Sequence, residues 1–424
     1  MLGVVAGVIW WQRHTVIGRP LQWLVRTNLQ EHDLPSAMTW ANRGRQILPD
    51  DPDLALLRAG VARRMGRMKL VQQDLESAKS LGADPEDLQR EQWLALAQTG
   101  QMHKAEPFLG ELLRTAERSG EVCEAYVLGY IRANRTEAAL TLLEAWIADD
   151  DQNAKAYLMK GQVLKLLSNF AAAEEQFRQA VKLDDDWPLP QLELAELLVE
   201  RNRFDEARPV LESLPTSEAD VSLMVRRNVA LADCYMAEGR TDDAIRLLRS
   251  AHQRQPQSLE PAVVLGRALI ESGQYEAALE PLLAALQIRP GYDETHYLLS
   301  QAYAFAGDRE SAAKHSKFVE EARAELQELD ELNADLLEEP GDVEKLVRAG
   351  QIQLKYGDPR EGVIRILAGL DVEPNHRDGL RLLTNYYEDL AKTDSAYEPM
   401  AARFAEQLQR LESDDPNTER LPAE

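Results

Sequence analysis

The stretch "LGRALIESGQYEAALEPLLAALQIRP", residues 265 to 290, carries the pattern that decides the fold. A small residue, Gly266, precedes a turn glycine, Gly273, and a terminal proline, Pro290. Apolar residues recur at helical spacing on both sides of Gly273, which predicts two helices joined by a tight turn. Because proline cannot continue a helix, Pro290 is expected to end the second one. The stretch therefore reads as one helical hairpin.

The same landmarks return every 34 residues. If a unit begins at Leu259, Gly266 falls at position 8, Gly273 at position 15 and Pro290 at position 32. Units stepped back and forward from this one repeat the small, aromatic and turn residues, after allowance for three extra residues near Ser222–Met224. The other contiguous units begin at Gly18, Pro52, Glu86, Gly120, Ala154, Pro188, Val225 and Asp293.

After the unit at Asp293 the period breaks. A helix-like acidic stretch, Glu310–Leu337, overruns its turn, and two more units fit at Val343 and Arg377. We therefore predict nine contiguous units and two beyond the break. The predicted regions are an apolar N-terminal segment at 1–17, a main array at 18–326, a long-helix extension and linker at 327–342, a C-terminal repeat pair with a capping helix at 343–412, and a disordered tail at 413–424.

This pattern resembles the tetratricopeptide repeat family, whose unit is a helix–turn–helix of about 34 residues. The resemblance covers roughly residues 18–410 and is strongest in the units at Ala154, Val225 and Leu259. It implies an all-α, right-handed α-solenoid in which each hairpin stacks on its neighbours. Small residues at positions 8, 20 and 27 let the helices approach, and Gly or Asn at position 15 suits the left-handed end of the first helix.

Caps and prolines fit these helices. The acidic linkers Asp149–Asp151 and Asp184–Asp186 each precede a first helix, and we expect them to cap its free N–H groups. Pro107, Pro209 and Pro281 fall near the start of second helices, where proline loses only an early backbone hydrogen bond. We therefore expect the helices to tolerate them.

Composition and charge exclude several classes of function. The chain carries 48 Lys and Arg against 72 Asp and Glu, a formal net charge of −24, so we expect no nucleic-acid partner. The basic run Arg58, Arg63, Arg64, Arg67 and Lys69 could face anionic lipid, but we favour a solvated helix face. Cys123 and Cys234, the only cysteines, fall in different units and are expected to be buried and unpaired.

No constellation of catalytic residues stands out. The seven histidines are scattered, and the chain contains no HExxH, GxSxG, Walker or GxGxxG motif. His296 and His315 could approach each other within one hairpin, but two histidines are a weak metal site. We predict a protein that is not an enzyme and that holds no cofactor and no metal.

The N-terminal segment Leu2–Trp11 is apolar and uncharged. Ten helical residues reach about 15 Å, roughly half of a bilayer's hydrocarbon core, and paired tryptophans suit a membrane–water interface. We favour a membrane anchor whose first residues are missing. A helix packed on the first repeat and a shortened export signal stay open as alternatives.

In the tetratricopeptide repeat family the first helices line a concave groove, chiefly through positions 2, 5, 9, 12 and 13. Carried over position by position, the resemblance implies these partner-binding residues: Lys155, Gln162, Lys165, Glu196, Arg226, Asp233, Arg267, Tyr297, Gln301 and Phe305. Position 5 also places Leu158, Leu192, Val229 and Val263 in the groove. The Lys–Asn clamp by which chaperone-binding members hold a C-terminal carboxylate is absent from positions 5 and 9.

Within this set, Lys155, Lys165, Arg226 and Arg267 are expected to anchor carboxylates, while Tyr297 and Phe305 offer apolar contact. The alternative is that many of these residues are simply solvated. The replacement Arg267→Glu is expected to leave folding intact and to weaken capture of a partner.

Together these features predict a non-catalytic scaffold that binds an extended peptide or a helix of a partner protein. The alternatives are an enzyme-associated subunit, such as a transferase accessory, and a self-assembling structural protein. We expect membrane association through the N-terminus. Arg13, Arg19 and Arg26 favour a cytoplasmic array, whereas short N-terminal anchors commonly precede exported arrays, and we lean slightly to the extracytoplasmic side.

Overall fold

The computed structural model describes residues 14–115, 119–133, 135–215, 220–392 and 394–413. Every regular element in these ranges is a helix, which confirms the all-α prediction. The internal contacts divide the chain into two units, Met1–Glu238 and Gly239–Glu424. The predicted anchor Leu2–Trp11, Asn134 and the tail from 414 onwards lie outside the described residues.

The first unit begins with a π-helical turn at His14–Gly18 and also contains a 3-10 turn at Glu106–Phe108. Its α-helices are α1 (Arg19–Gln30), α2 (Leu34–Ile47), α3 (Pro52–Arg64), α4 (Met68–Ser80), α5 (Pro85–Gln98), α6 (Met102–Ala105), α7 (Leu109–Thr115), α8 (Ser119–Arg132), α9 (Thr136–Asp149), α10 (Ala154–Leu166), α11 (Phe170–Leu183), α12 (Pro188–Glu200), α13 (Phe204–Ser213) and α14 (Val221–Ala237).

The second unit contains a 3-10 turn at Ser395–Tyr397. Its α-helices are α15 (Thr241–Arg254), α16 (Leu259–Glu271), α17 (Tyr275–Ile288), α18 (Asp293–Ala306), α19 (Arg309–Glu338), α20 (Val343–Tyr356), α21 (Pro359–Val372), α22 (Arg377–Ala391) and α23 (Glu398–Ser413). The predicted overrun is confirmed, since α19 runs without a break for 30 residues. The five predicted regions themselves stay a prediction.

Within each unit, consecutive helices pack as hairpins. Several first helices begin at the residue where the sequence period places a unit start, including Ala154, Pro188, Leu259 and Asp293. The first helices of the two units are α1, α3, α5, α8, α10, α12, α14, α16, α18, α20 and α22.

Left-handed residues at the ends of first helices repeat the sequence period. Positive φ angles occur at His32, Gly66, Gly100, Ser168, Asn202, Gly239, Gly273 and Gly307. Neighbouring members of this set lie 34 residues apart, or 68 across Asn134, except that the three extra residues separate Asn202 from Gly239. The prediction for position 15 is therefore confirmed at Asn202 and at three glycines. Gly357, after the break, differs, with φ of −106°.

Close helix approach explains the small residue at position 8. A Cβ built on Gly266 would lie 2.4 Å from Cγ of Leu282, the residue at position 24 of the same unit. Ala278 and Ala285, at positions 20 and 27, are fully buried. The first and second helices of this hairpin therefore pack at a distance that a larger side chain would not allow.

Two local expectations need correction. Asp149–Asp151 do not cap α10, because Asn153 Oδ1 accepts the N–H of Ala156 instead. Trp187 occupies the N-cap of α12, directly before the proline that begins the helix, so Asp184–Asp186 do not cap it either. An Asn at the N-cap position outcompetes acids two or more residues further back, because only the N-cap side chain reaches the N2 and N3 amides.

The prolines behave differently from one another. Pro209 and Pro281 lie inside continuous helices α13 and α17, as expected. At Pro107 the second helix is instead divided into α6, a 3-10 turn and α7. Because proline lacks an N–H and its ring crowds the preceding turn, an interrupted helix there is a direct consequence.

Candidate functional site

The ten predicted partner-binding residues all lie on first helices, from α10 to α18. Tyr297 and Phe305 are exposed, whereas the other eight are partly buried. Position 5 changes along the chain: Leu158, Leu192, Val229 and Val263 are at most 4% exposed, against 51% for Tyr297. The four aliphatic residues therefore belong to the core, and their predicted place in the groove is wrong.

Cations of the first helices are paired with carboxylates one repeat away. Lys155 Nζ lies 3.0 Å from Glu124 Oε1, and Lys165 Nζ lies 2.5 Å from Glu200 Oε1. Burial alone would raise the pKa of Glu124, but Lys155 and Arg64 outweigh it and hold the pKa at about 2. These lysines thus connect adjacent first helices.

Arg226 makes the same kind of connection. Its guanidinium donates to Glu196, with Nε 2.9 Å from Oε1, and to Glu193 Oε1 at 3.0 Å. Gln162 donates to the same Glu193 oxygen from the other side, at 3.1 Å. Burial raises the pKa of Glu196, although Arg226 opposes that shift. Three of the predicted site residues, Gln162, Glu196 and Arg226, therefore form one polar cluster around α12.

Arg267 pairs with Glu294 of the next first helix, and the Tyr292 hydroxyl donates to the other Glu294 oxygen at 2.7 Å. Both charged side chains are partly exposed, at 42% and 33%. Loss of such an exposed pair costs about 0–1 kcal/mol. The expectation that Arg267→Glu leaves folding intact is consistent with this geometry.

Three arginines of the basic run, all on α3, contact protein carboxylates, whereas Arg67 and Lys69 are exposed. Arg58 pairs with Asp74 at 2.6 Å, and Arg64 lies 3.4 Å from Glu121. Arg63 is fully buried and bridges Glu91 and Glu121 on two successive first helices. Both sequence interpretations of these three arginines, as a lipid-facing and as a solvated face, are wrong.

A contact within the first unit also joins residues far apart in sequence. His32, in the turn after α1, stacks on Trp187 with ring centroids 3.8 Å apart and an interplanar angle of 13°. Lys155 Nζ lies 5.7 Å from the Trp187 ring centroid, and Asp184 Oδ2 lies 3.8 Å from His32 Nε2. Burial and the nearby lysine lower the pKa of His32. Lys155 is thus held by an aromatic ring as well as by Glu124.

The two exposed aromatic residues of the predicted set lie on α18, in the second unit. Phe305 is 65% exposed and stacks on Tyr275, with centroids 4.7 Å apart. Gln301 lies between Tyr297 and Phe305 at helical spacing, one turn from each. Two exposed aromatic rings and an amide therefore share one face of this first helix.

Tyr297 also lines an open cleft of about 500 Å³ between α18 and α19. The cleft residues are Asp293, Glu294, Tyr297, Val319, Arg323, Leu326, Gln327 and Asp330. The long helix supplies five of these eight side chains, so the cleft depends on its overrun. Apolar, anionic and cationic groups lie together there, which is the mixture that a peptide segment requires.

A pair of histidines, His296 on α18 and His315 on α19, connects the two helices of this hairpin. His296 Nε2 lies 2.9 Å from the carbonyl oxygen of Pro290, and the two Nδ1 atoms of His296 and His315 are 2.9 Å apart. Because the carbonyl can only accept, His296 carries its hydrogen on Nε2 and accepts from His315 at Nδ1. The predicted approach of the two histidines is confirmed, with their facing nitrogens bonded to each other.

This pair is expected to make the second unit less stable below neutral pH. Burial lowers the pKa of both histidines from about 6.5, and for His315 the neighbouring His296 lowers the pKa further. The folded state thus favours the neutral rings, so their contribution is complete above pH 6.5 and is lost as the pH falls below it. Tm should fall between pH 7.5 and pH 5, and His315→Phe should reduce that fall. An equal fall in the variant would contradict this account.

Burial also lowers the reactivity of the two cysteines. Cys123 and Cys234 are free and buried, as predicted, and burial raises the pKa of each thiol to about 11. Both are therefore protonated and poorly reactive at neutral pH.

No helix among the described residues has both the length and the apolarity that crossing a bilayer requires.

Comparison with known families places repeats in the middle of the chain. Family models described as tetratricopeptide repeat match residues 127–188, 167–226 and 235–286, and one described as TPR repeat matches residues 266–307. These ranges contain the hairpins α10–α11, α12–α13 and α16–α17 in full, together with α18, the first helix of the next hairpin.

Two curated relatives also match. The TPR repeat-containing protein YpiA of Bacillus subtilis (strain 168) is 22% identical over 290 residues, covering 68% of this chain and 64% of the relative. DnaJ homolog subfamily C member 3 of Gallus gallus is 22% identical over 233 residues, covering 49% of this chain and 46% of the relative. The chain thus spans less than two thirds of either relative's length.

Among solved structures, PilW, a type IV pilus biogenesis factor, aligns with a TM-score of 0.44 at 19% identity, covering 47% of this chain and 91% of PilW.

Proposed function

Because this chain is a tetratricopeptide repeat protein, we propose that it is a non-catalytic scaffold that holds an extended peptide or a helix of a partner protein on its first helices. The observation that carries the proposal is the exposed aromatic face of α18. Tyr297 and Phe305 are 51% and 65% exposed beside an open cleft. Exposed aromatic side chains beside a cleft form the kind of surface on which a partner's anchor residues become buried.

The remaining predicted residues form two groups according to the contacts that they make within the chain. Lys155, Lys165, Arg226 and Glu196 already satisfy one another or a neighbouring carboxylate, so a partner would have to break those pairs. Arg267 borders the cleft through Glu294 and is the cation best placed to meet a partner. We therefore assign recognition chiefly to Tyr297, Gln301, Phe305 and Arg267. Connection between repeats is assigned to Lys155, Gln162, Lys165, Glu196 and Arg226.

The double replacement Tyr297→Ser with Phe305→Ser is expected to weaken capture of the partner by tenfold or more. Each aromatic side chain that becomes buried on binding contributes about 1.5–3 kcal/mol, and 1.4 kcal/mol is a factor of ten. The measurement is quantitative capture from native extracts with the full chain as bait. Leu166→Ser is the matched control, because Leu166 is 62% exposed at position 13 of α10.

Capture that survives the double replacement but is lost in Leu166→Ser would move the binding surface to the first unit. The same capture by all three proteins would contradict recognition through first helices. Since exposed side chains are replaced, the circular dichroism and Tm of the variants should stay close to those of the original chain.

We also propose that Leu2–Trp11 holds the protein at a membrane. The support is its sequence alone: ten apolar or small residues ending in Trp10 and Trp11. The array would lie on the extracytoplasmic side, with the cytoplasmic side as the alternative. Flotation of the full chain with lipid vesicles tests the tether, and recovery of all protein in the unbound fraction would contradict it.

A further inference from the structure

We propose that the exposed face of α1 and the turn before it docks flat on an anionic lipid surface. This inference extends the proposed tether, because it assigns a second membrane contact to the folded repeats themselves. Val16, Ile17 and Trp23 are 70%, 37% and 63% exposed. On the opposite face, Leu21 and Val25 are buried in the unit's core.

The exposed residues of α1 fall on one side of the helix. Arg19, Trp23, Arg26 and Gln30 are all exposed and lie three or four residues apart. Val16 continues this spacing by one turn towards the N-terminus. An apolar and aromatic stripe flanked by arginines is the composition of a helix that lies in a membrane interface.

Charge favours lipid as the occupant of this face. Residues 1–30 contain three arginines and no Asp or Glu, although the whole chain has a net charge of −24. Three of the seven tryptophans, Trp10, Trp11 and Trp23, fall within the same thirty residues. Arg19 is exposed, while the charge of Arg26 also acts on Asp53 of α3. Tryptophan and arginine are the residues that prefer the headgroup level of an anionic bilayer.

The tether and this face are also close along the chain. Trp11 and Ile17 are separated by five residues, so their Cα atoms are at most about 22 Å apart. A segment Leu2–Trp11 inserted in the bilayer would therefore bring α1 to the membrane surface. Gln30 lies two helical turns beyond Trp23 on the same side, about 10 Å further along the axis. Only a helix lying flat would place Gln30 near the headgroups.

The buried native thiols make a direct test practical. Cys123 and Cys234 are buried, so a Gln30→Cys variant of the full chain presents one reactive thiol for an environment-sensitive fluorophore. Vesicles of phosphatidylglycerol and phosphatidylcholine should shift its emission to the blue, and vesicles of phosphatidylcholine alone should do so less. Leu166→Cys, labelled in the same way on α10, should not respond.

Two further replacements identify the contacts. Trp23→Ser should remove most of the fluorescence response at position 30 without preventing flotation through Leu2–Trp11. Arg19→Glu should raise the anionic vesicle concentration at half-maximal response by about thirtyfold, because the replacement changes the charge by two units and each unit near such a surface contributes roughly 1 kcal/mol.

Three results would overturn the inference. Flotation without a response at position 30 would mean a tether alone, leaving the proposed membrane association intact. A label that is already shielded before vesicles are added, and does not change with them, would mean that the chain's own N-terminal segment covers the face. A full chain that does not float would overturn the tether and the docking surface together.

Discussion

Replacing Arg63 by methionine is expected to destabilise the first unit by about 3–5 kcal/mol. Arg63 is 0% exposed, and its Nε, Nη1 and Nη2 donate to Glu91, Gln98 and Glu121 at 2.6, 3.0 and 2.8 Å. Gln98 donates back to the Arg63 carbonyl at 2.7 Å. Without the guanidinium the half-buried Glu91 loses its ion pair, and Glu121 keeps only the longer contacts to Arg64 and Arg90, at 3.4 and 3.7 Å. Burial already raises the pKa of Glu91 against the effect of Arg63, so Glu91 should take up a proton in the variant.

Arg135→Met is the matched control. Arg135 also donates two hydrogen bonds to one carboxylate, Glu106, at 2.7 and 2.9 Å, but both side chains are at least 40% exposed. Its replacement should cost less than about 1 kcal/mol. The measurement is hydrogen exchange in α3, α5 and α8, together with urea unfolding of the full chain, since a repeat array need not unfold in one step. Equal losses in the two variants would contradict the claim that Arg63 holds three repeats together.

Replacing Gly129 by alanine is expected to destabilise the same unit by about 2–3 kcal/mol. A Cβ at Gly129 would lie 2.2 Å from the backbone oxygen of Ala97 and 2.6 Å from Sδ of Met102. Helix propensity alone would favour alanine by about 1 kcal/mol. Because backbone cannot move aside as a flexible side chain can, α5 and α8 would have to separate, and the clash should outweigh the propensity.

Gly110→Ala provides the opposite case. Gly110 lies in α7, and a Cβ there would meet nothing within 4 Å. That variant should be stabilised by up to about 1 kcal/mol. Urea midpoints of the two variants should therefore move in opposite directions. If both rise, the distance between α5 and α8 does not depend on glycine.

The repeat could be predicted because its landmarks are local. Gly266 and Leu282 belong to one hairpin, and the left-handed turns at Gly239, Gly273 and Gly307 follow from residue type at a fixed position. Hydrophobic spacing and turn residues act within about 34 residues, so a single sequence contains them. The start of α10 at Ala154 and of α16 at Leu259 follow directly.

The charged surface could not be predicted in the same way, because its partners belong to neighbouring repeats. Arg226 reaches Glu196 and Glu193, 30 and 33 residues earlier, and Arg63 reaches Glu121, 58 residues later. When only one hairpin is considered, the sequence predicts that these arginines are solvated or that they anchor a partner. A useful signal was present: opposite charges on first helices, separated by about one repeat, as in Arg267 and Glu294.

The burial of the residue at position 5 could not be predicted from the sequence either. Val263 and Tyr297 occupy equivalent positions, yet one is buried and the other exposed. The difference appears where α19 replaces an ordinary second helix and forms one wall of the cleft. A period that breaks therefore indicates where a repeat surface changes, although it does not indicate how.

The most direct test of the proposed scaffold is site-specific photo-crosslinking in the cells that express it. A benzophenone amino acid would replace Tyr297 in one protein, Phe305 in a second and Leu166 in a third, all three positions being exposed on first helices. We expect the same partner to be linked from positions 297 and 305 and not from 166. Adducts from position 166 alone, or no adduct from either aromatic position, would contradict the assignment of partner binding to α18 and its cleft.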